Sequence, residues 1–458
     1  MRINALAVLG LKRKSAKHSG FGDNTHGTLA AVWSALDTGI CSLEDLTDFS
    51  IQFSDVTTAA VMIKCIRDMH EAGALTFFIH SHGTFVAECR GNFLETVLVE
   101  LNAQYQLSRH AYATVSAEAN MICLKSAPSQ DEVLMPLSVV KVVFDVIGVG
   151  GAGGQVIMDL LTSALSLESP AVAHTLLSVL SRAKIINLVD VSGSARRQQV
   201  WEFHDLLFHG HSTQKQASPA QHGATFRMGA PTNHPVESSC EAWPVITTLA
   251  RADRVDFSIS LWDVLQRRRS APASAVGGTA GLTDLGKFLS GLAPGSWNSG
   301  RSGGDQPRLY PGAGGCYELE FYVLGAESAG AQSGILYYDS SAHALRHVCD
   351  WSDQVSVLRS NACYATGRIV SPAFIILITA RFARLAWKYE GIAYALCLKD
   401  VGVVFHHMYL MGAALNMEVC ALGAVDAELF SNITGIDSLE QPLVGEFMIV
   451  GERILNDA

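Results

Sequence analysis

The sequence predicts an α+β protein with more than one domain, and three observations carry that expectation. The chain has 458 residues, of which 49% are apolar and 17% charged, enough to bury several cores rather than one. Helical and period-two apolar patterns follow one another without a repeated strand–helix–strand order. A Ser/Gln/His/Pro-rich stretch at residues 213–239 interrupts both patterns and reads as a linker.

The bulk properties exclude several function classes. Low charge and high Ala/Gly content argue against disorder over most of the chain. A net charge of −10 argues against a general nucleic-acid binder. The ten cysteines contain no Cys-x-x-Cys pair, so neither a zinc knuckle nor a thioredoxin-type site is indicated, and no metal is expected. Most lie in apolar runs, where a buried free thiol in a reducing, cytoplasmic compartment is the simple reading. The N-terminal apolar stretch is short and runs into Lys12-Arg13-Lys14, unlike a secretory signal. The apolar run at 373–378 is too short to span a bilayer, so no membrane association is expected.

Taken in order, residues 1–100 read as one small unit. Residues 57–71 carry helical spacing through Val61, Cys65, Ile66 and Met69, and Gly73 stops it. Strands at 75–80 and 84–89 follow, joined by the turn His80-Ser-His-Gly83. Helices followed by a two-stranded ribbon resemble a winged helix. Residues 101–200 repeat that architecture loosely. Strands are expected at 111–115 and 119–124, a helix or strand at 139–146, helices near 155–165 and 171–183, and an apolar end at 185–189. Residues 201–212 form a short amphipathic helix, so 201–239 is helix plus linker. Residues 240–458 read as one larger domain. Its strands are expected at 317–324, 335–338, 373–379, 417–421 and 443–450. Its helices are expected at 262–268, 284–289 and about 389–416. The Gly/Ser/Pro-rich stretch 291–315 is expected to be a mobile loop over a site.

Several patterns compete for chemistry. Gly148-Val-Gly-Gly-Ala-Gly153 matches G-x-G-x-x-G, with Glu168 near the place of an acidic ribose partner. A dinucleotide site would need a strand before it, and no repeated βαβ pattern surrounds it, so a structural glycine turn is the better reading. His204, His209 and His211, and the adjacent pair His406-His407, lack ligand spacing. Gln266-Arg-Arg-Arg-Ser270, at a helix end, offers either bidentate grip on a phosphate or a solvated basic terminus. Leu309-Tyr-Pro-Gly-Ala-Gly-Gly-Cys-Tyr-Glu-Leu-Glu320 leads Pro and glycines into an alternating strand, which lets backbone approach a flat ligand. Lys388-Tyr389 pairs two groups that titrate near pH 10 unless their surroundings shift them, and either could serve as a general base. Neighbours i and i+1 point apart on a helix, so joint action needs them at a helix entrance or in a loop.

The order of these segments resembles the nitroreductase-like flavoproteins, and more closely the SagB-type thiazole/oxazole-forming peptide oxidases, on the cyanobactin oxidase branch. The resemblance rests on the 201–209 segment, Arg268-Arg-Ser270, Tyr310-Pro-Gly-Ala-Gly-Gly315, and Gly334-Ile-Leu-Tyr-Tyr-Asp339 with His343-Ala-Leu345. Lys388-Tyr389, Ala421-Leu-Gly-Ala-Val425 and Val450-Gly-Glu-Arg453 complete it. It covers residues 200–458 well and 100–200 loosely. It implies a homodimeric FMN domain with an antiparallel-rich sheet flanked by helices, behind two winged-helix-like peptide clamps. It implies FMN contacts at Arg268, Arg269, Ser270, Pro311, Gly312, Ala313, Gly314, Leu422, Gly423 and Arg453, and a catalytic dyad at Lys388 and Tyr389. The substrate implied is a heterocyclised precursor peptide, supplied by a cyclodehydratase, whose azolines are oxidised to azoles. Two departures stand out: Gly312 where the family often has Ser, and Pro272 where it commonly has a basic residue. The rival readings are a generic flavin reductase of nitro compounds or quinones, and a non-catalytic peptide-recognition protein.

Overall fold

The structure is a computed structural model. It describes residues 9–13, 41–42, 75–82, 84–90, 99–116, 120–129, 131–148, 151–189, 201–213, 243–253, 256–271, 280–292, 308–325, 333–366, 372–389 and 391–452. The chain divides into two compact units, Met1–Ala220 and Gln221–Ala458.

The first unit is organised by one sheet. Its strands are β1 (Leu9–Arg13), β2 (Cys41–Ser42), β3 (Leu75–Ser81), β4 (Thr84–Arg90), β6 (Ala111–Val115), β7 (Met121–Ser126) and β8 (Glu132–Pro136), in the order β2-β1-β3-β4-β8-β7-β6. Strand β4 pairs with β8, Glu88 opposite Leu134. The strands of residues 1–100 and 101–200 therefore share one continuous sheet. A smaller sheet joins β5 (Gln104–Leu107), β9 (Ala152–Gly153) and β10 (Ile186–Leu188). Helices α1 (Leu137–Ile147) and α2 (Gly154–Ala164) bury one stripe each, whereas α3 (Pro170–Arg182) is buried on all sides over 175–180. In α1 the stripe is Val139, Val140, Val143 and Ile147, the spacing of a single helical face. The helix expected at 57–71 lies outside the described residues. Helix α4 (Phe203–Thr213) buries no side chain fully; Phe203 meets Tyr112 edge-on at 5.4 Å.

The described residues of the glycine-rich match at 148–153 lie between two helices, and its last two residues form β9. Helix α1 precedes it, Gly148 caps that helix at φ 61°, and Gly154 opens α2. A Cβ on Gly154 would sit 2.9 Å from Glu100 O. Glu168 accepts the amide of His82 at 3.0 Å and ties the β3–β4 turn down. No strand feeds the turn, so a dinucleotide fingerprint is excluded.

The second unit is an antiparallel sheet with a core on each face. Its strands are β11 (Val245–Thr248), β12 (Leu319–Leu324), β13 (Ile335–Asp339), β14 (Ala344–Cys349), β15 (Phe374–Ala380), β16 (Met417–Leu422) and β17 (Leu443–Glu452), in the order β11-β14-β13-β12-β15-β17-β16. Every residue of the central strand β15 is buried. Its period-two pattern deals Phe374, Ile376, Ile378 and Ala380 to one core, and Ile375 and Leu377 to the other. The first core packs under α6 (Leu282–Ser290) and the long helix α9 (Ala393–Ala414). The second packs under α7 (Asp353–Ala365) and α10 (Ala427–Thr434). Short helices α5 (Leu261–Arg267) and α8 (Phe382–Lys388) complete the unit. Ser260, Ser352 and Asp426 each cap a helix N-terminus through the side chain. Helices α7, α8 and α10 went unforeseen; α7 carries little apolar periodicity, and α8 and α10 are only seven and eight residues long. Among the described residues no helix is long and apolar enough to cross a membrane.

Phe447 sits at the centre of the first core, fully buried, with ring neighbours Phe288 at 6.1 Å, Phe405 at 6.0 Å and Tyr409 at 5.2 Å. Phe447→Ala is expected to cost about 3–5 kcal/mol of unfolding free energy, measured by urea denaturation.

Candidate active site

The chain enters the site through Tyr310, which is buried with its ring edge-on to Tyr317 at 6.2 Å and Phe321 at 6.3 Å. Pro311 and Gly312 follow, then a 3₁₀ turn at Ala313–Gly315. Gly314 has φ 57° and Gly315 φ 70°, the left-handed region that glycine enters without a Cβ clash. Two side chains hold this turn from different elements. Asp400, on α9, accepts the amide of Ala313 at 2.7 Å. Lys388 Nζ donates to Gly314 O at 2.8 Å. A Cβ on Gly314 would lie 2.2 Å from Tyr389 Oη and 2.7 Å from Lys388 Nζ. The Lys-Tyr pair therefore closes directly over this glycine.

The location of the pair differs from expectation. Lys388 and Tyr389 do not open the long helix, because the short helix α8 intervenes after β15. Lys388 ends α8, and Tyr389 is its C-cap in extended conformation, φ −121° and ψ 136°. Leaving helical geometry at Tyr389 lets adjacent side chains converge, which a continuous helix forbids. Helix α8 is fixed to the start of β12, since Arg384 Nη1 donates to Tyr317 O at 2.8 Å and Arg381 N to Glu318 O at 2.9 Å.

A buried carboxyl pair lies behind the turn. Glu318 is 1% exposed and Asp400 7%. Burial, reinforced by the charge of Asp400, pushes Glu318 up to about 8. Burial also raises Asp400, against the amide bond it accepts from Ala313. The pair thus holds a proton near neutral pH, with Glu318 as the neutral acid. Tyr389 is raised above the ordinary tyrosine value, first by burial and then by Cys316, Asp400 and Glu318. Burial and the nearby carboxyls thus favour the protonated phenol.

A second cluster gathers around Tyr409, also on α9. Ser270 Oγ lies 2.8 Å from Tyr409 Oη, and the amide of Ala421 donates to that same hydroxyl at 3.0 Å. The Arg268 guanidinium stands 5.6 Å from the Tyr409 ring centre, and Arg269 bonds Glu418 at 3.0 Å. Gly423 follows β16, with open space where a Cβ would be. Leu422 is buried in the strand end. Arg453 and Pro272 lie outside the described residues. The donor set fits a phosphorylated flavin: exposed arginines and a hydroxyl for the phosphate and ribityl chain, and open glycine backbone at Gly315 and Gly423 for the ring.

Asp400, Glu318 and Tyr409 were missed by sequence reasoning. One signal existed for the first: Asp400 is the single carboxylate in the 22-residue helix α9. His407 Nε2 sits 2.6 Å from Gly291 O, His204 faces Glu202 and Asp205, and no metal-holding cluster exists among the described residues.

Known proteins resemble parts of this chain. Residues 284–451 match the nitroreductase family model, and residues 105–218 match the cyanobactin oxidase ThcOx model. The chain carries a nitroreductase-family domain. Together the matches support an oxidoreductase. A putative nitroreductase of Methanocaldococcus jannaschii, MJ1384, is 26% identical over 147 residues, covering 32% of this chain and 71% of that protein. Among solved structures, a putative nitroreductase of Ralstonia eutropha JMP134 is 18% identical with TM-score 0.38, covering 48% of this chain and 94% of that one. A chain of the E. coli microcin synthetase McbBCD complex, with truncated pro-MccB17 bound, is 18% identical with TM-score 0.34, covering 54% and 86%. A putative nitroreductase from Desulfovibrio desulfuricans in complex with FMN is 14% identical with TM-score 0.27, covering 44% and 90%.

Two outcomes test the site. Below pH 4.5 Glu318 is protonated in both folded and unfolded chains; between 4.5 and about 8 only the folded chain keeps the proton. Its contribution to stability therefore falls as pH rises through that window. Glu318→Gln is expected to raise Tm at pH 8 but not at pH 4, read by scanning calorimetry. Gly314→Ala is expected to displace Tyr389 and Lys388 and to cost at least about 2 kcal/mol, checked by denaturation and by a crystal structure of the variant.

Proposed function

We propose that the protein is an FMN-dependent dehydrogenase that oxidises thiazoline or oxazoline rings of a ribosomally made peptide to thiazoles or oxazoles. The observation that carries this reading is the closure of Lys388 and Tyr389 over Gly314, on the loop that would line a flavin edge. Aromatising an azoline removes a proton from one ring carbon and a hydride from its neighbour. FMN, when bound, supplies the two-electron acceptor. The chain must supply the proton acceptor and the orientation. Tyr389 stays protonated and positions the ring by donating from Oη. Lys388 Nζ, beside the same glycine, would take the carbon-bound proton. Its bond to Gly314 O fixes the direction from which it acts.

Arg268, Arg269, Ser270 and Arg453 would hold the phosphate and ribityl chain, with Pro311, Gly312, Ala313, Gly314, Leu422 and Gly423 along the ring. Asp400 and Tyr409 are nine residues apart on α9, about 13 Å along its axis and half a turn out of phase. The loop and the arginine cluster of one protomer therefore face opposite sides of that helix. A two-fold dimer would bring the loop of one subunit to the arginines of the other. Leu261 and Trp262, 68% and 69% exposed beside the arginines, supply an apolar surface for that contact. Residues 1–200, read as two winged-helix-like clamps, would hold the precursor peptide, and a cyclodehydratase would make the azoline first. A simple reductase of nitro compounds or quinones leaves that region and the Lys-Tyr pair without a role.

The test is mass spectrometry of a heterocyclised peptide incubated with the flavin-loaded protein. A loss of two hydrogens per ring is expected. Lys388→Ala should abolish it, and Tyr389→Phe should slow it by about 10²-fold or more, with flavin still bound in both. Turnover of nitroaromatics with NADPH and none of azoline peptides would reverse the reading.

A further inference from the structure

The face of the second unit's sheet that carries α7 and α10 holds a cavity of 370 Å³ with no part in the reaction proposed above. Its walls include four alanines, Ala362, Ala365, Ala424 and Ala427, with Val425. Its polar groups are Asn361, Asp426, Glu428 and Glu446. Glu446 comes from the middle of β17, opposite Leu377 of β15 and Leu422 of β16. It is 2% exposed, and its Oε1 has no hydrogen-bond partner. A buried carboxylate oxygen left without a partner costs free energy unless a ligand supplies the donor.

We propose that this cavity binds a primary ammonium group, with Glu446 Oε1 as its acceptor and the alanine walls enclosing a short alkyl stem.

The neighbours select that chemistry. A guanidinium needs both oxygens of a carboxylate for its two-pronged grip. At Glu446 the backbone amide of Asp426 already bonds the carboxyl. At Asp426 both oxygens are engaged, Oδ1 by the amide of Leu429 at 3.1 Å and Oδ2 by Asn361 Nδ2 at 2.9 Å. One free oxygen suits the three rotatable donors of an ammonium. A metal ion is disfavoured, since no group of three or more ligating side chains exists among the described residues. Asp426 and Glu428 add negative charge at the cavity. From α7, Cys363 faces Glu446 electrostatically, and the Arg359 guanidinium is committed to Gly325 O at 3.1 Å and to Pro372 O.

Burial, with the Asp426 charge added, pushes Glu446 up to about 7. An ammonium paired with the ionised carboxylate therefore binds more tightly at pH 8 than at pH 6. The source of the ammonium is either a free small amine or a lysine side chain of a peptide.

The experiment titrates the full chain with n-butylammonium chloride by isothermal calorimetry, beside n-butanol and Nα-acetyl-lysine methylamide. Saturable one-to-one binding of butylammonium is expected, at least tenfold weaker at pH 6, at least tenfold weaker in Glu446→Gln, and absent for butanol. Equal or tighter binding of the lysine derivative identifies a peptide side chain as the source; binding of butylammonium alone identifies a free amine. Glu446→Gln is isosteric and removes a buried acid, so its fold is expected to hold and its Tm is measured first. An Asn361→Ala variant, exposed and safe for folding, should also weaken binding. No saturation by either amine, equal binding of butanol, or unchanged affinity in Glu446→Gln overturns the proposal. None of these readouts depends on peptide oxidation.

Discussion

The second unit's site depends on one bond, from the amide of Ala313 to the carboxylate of Asp400. The turn that carries it consists of glycines with positive φ, which have little preference of their own for one conformation. A buried acceptor on a rigid helix supplies the preference. Once Ala313 is held, Gly314 O points to Lys388 and leaves room for only a hydrogen over Tyr389. Asp400 in turn keeps its charge because Glu318 beside it holds the proton. The pair, the turn and the dyad thus form one coupled electrostatic arrangement, in which no member can be exchanged for an apolar residue without disturbing the others.

The same helix organises the other half of the site. Tyr409 takes an amide from Ala421, touches Ser270 and underlies Arg268, so it ties strand β16 to the basic segment after α5. Its ring rests on Phe447 in the first core. Packing at the centre of the sheet and placement of the Arg268 guanidinium are therefore linked through one aromatic side chain. Enzyme sites built on strands and helices hold their groups more rigidly than sites built on loops alone. Here the loop is the flexible part, and two rigid elements pin it.

The two faces of the second unit's sheet do different work. One face carries α9, with Asp400 and Tyr409, and packs Ala313, Tyr317 and Tyr389 against its core. The other carries α7, α10 and the acid-lined cavity around Glu446. The buried acids on the two faces differ in their surroundings: both oxygens of Glu318 and Oε1 of Glu446 lack a hydrogen-bond partner, but Glu318 lies beside a second carboxyl, Asp400, and the charge of Arg384, whereas Glu446 lines a cavity. A protein tolerates that cost where a ligand or a switch repays it.

The sequence by itself located strands β12, β13, β15, β16 and β17 of the second unit, but not β11 or β14. The continuous apolar run at 373–379 suits a strand buried on both faces, and the structure adopts it. Turn residues and apolar spacing likewise located the β3–β4 hairpin and helices α2 and α3, while the pattern at 139–146 fits helix or strand alike. The order of short motifs carried the family assignment, because each sits where backbone or charge needs a particular residue type. What only the tertiary structure decided were contacts made across the chain. Asp400 meets Ala313 over 87 residues and Tyr409 meets Ser270 over 139. No local pattern encodes such pairings, since a buried acid in an apolar helix looks like an isolated exception until its partner is folded against it. Helix α8 was invisible for the same reason: its seven residues follow a strand directly, and tertiary bonds from Arg381 and Arg384 hold it in place.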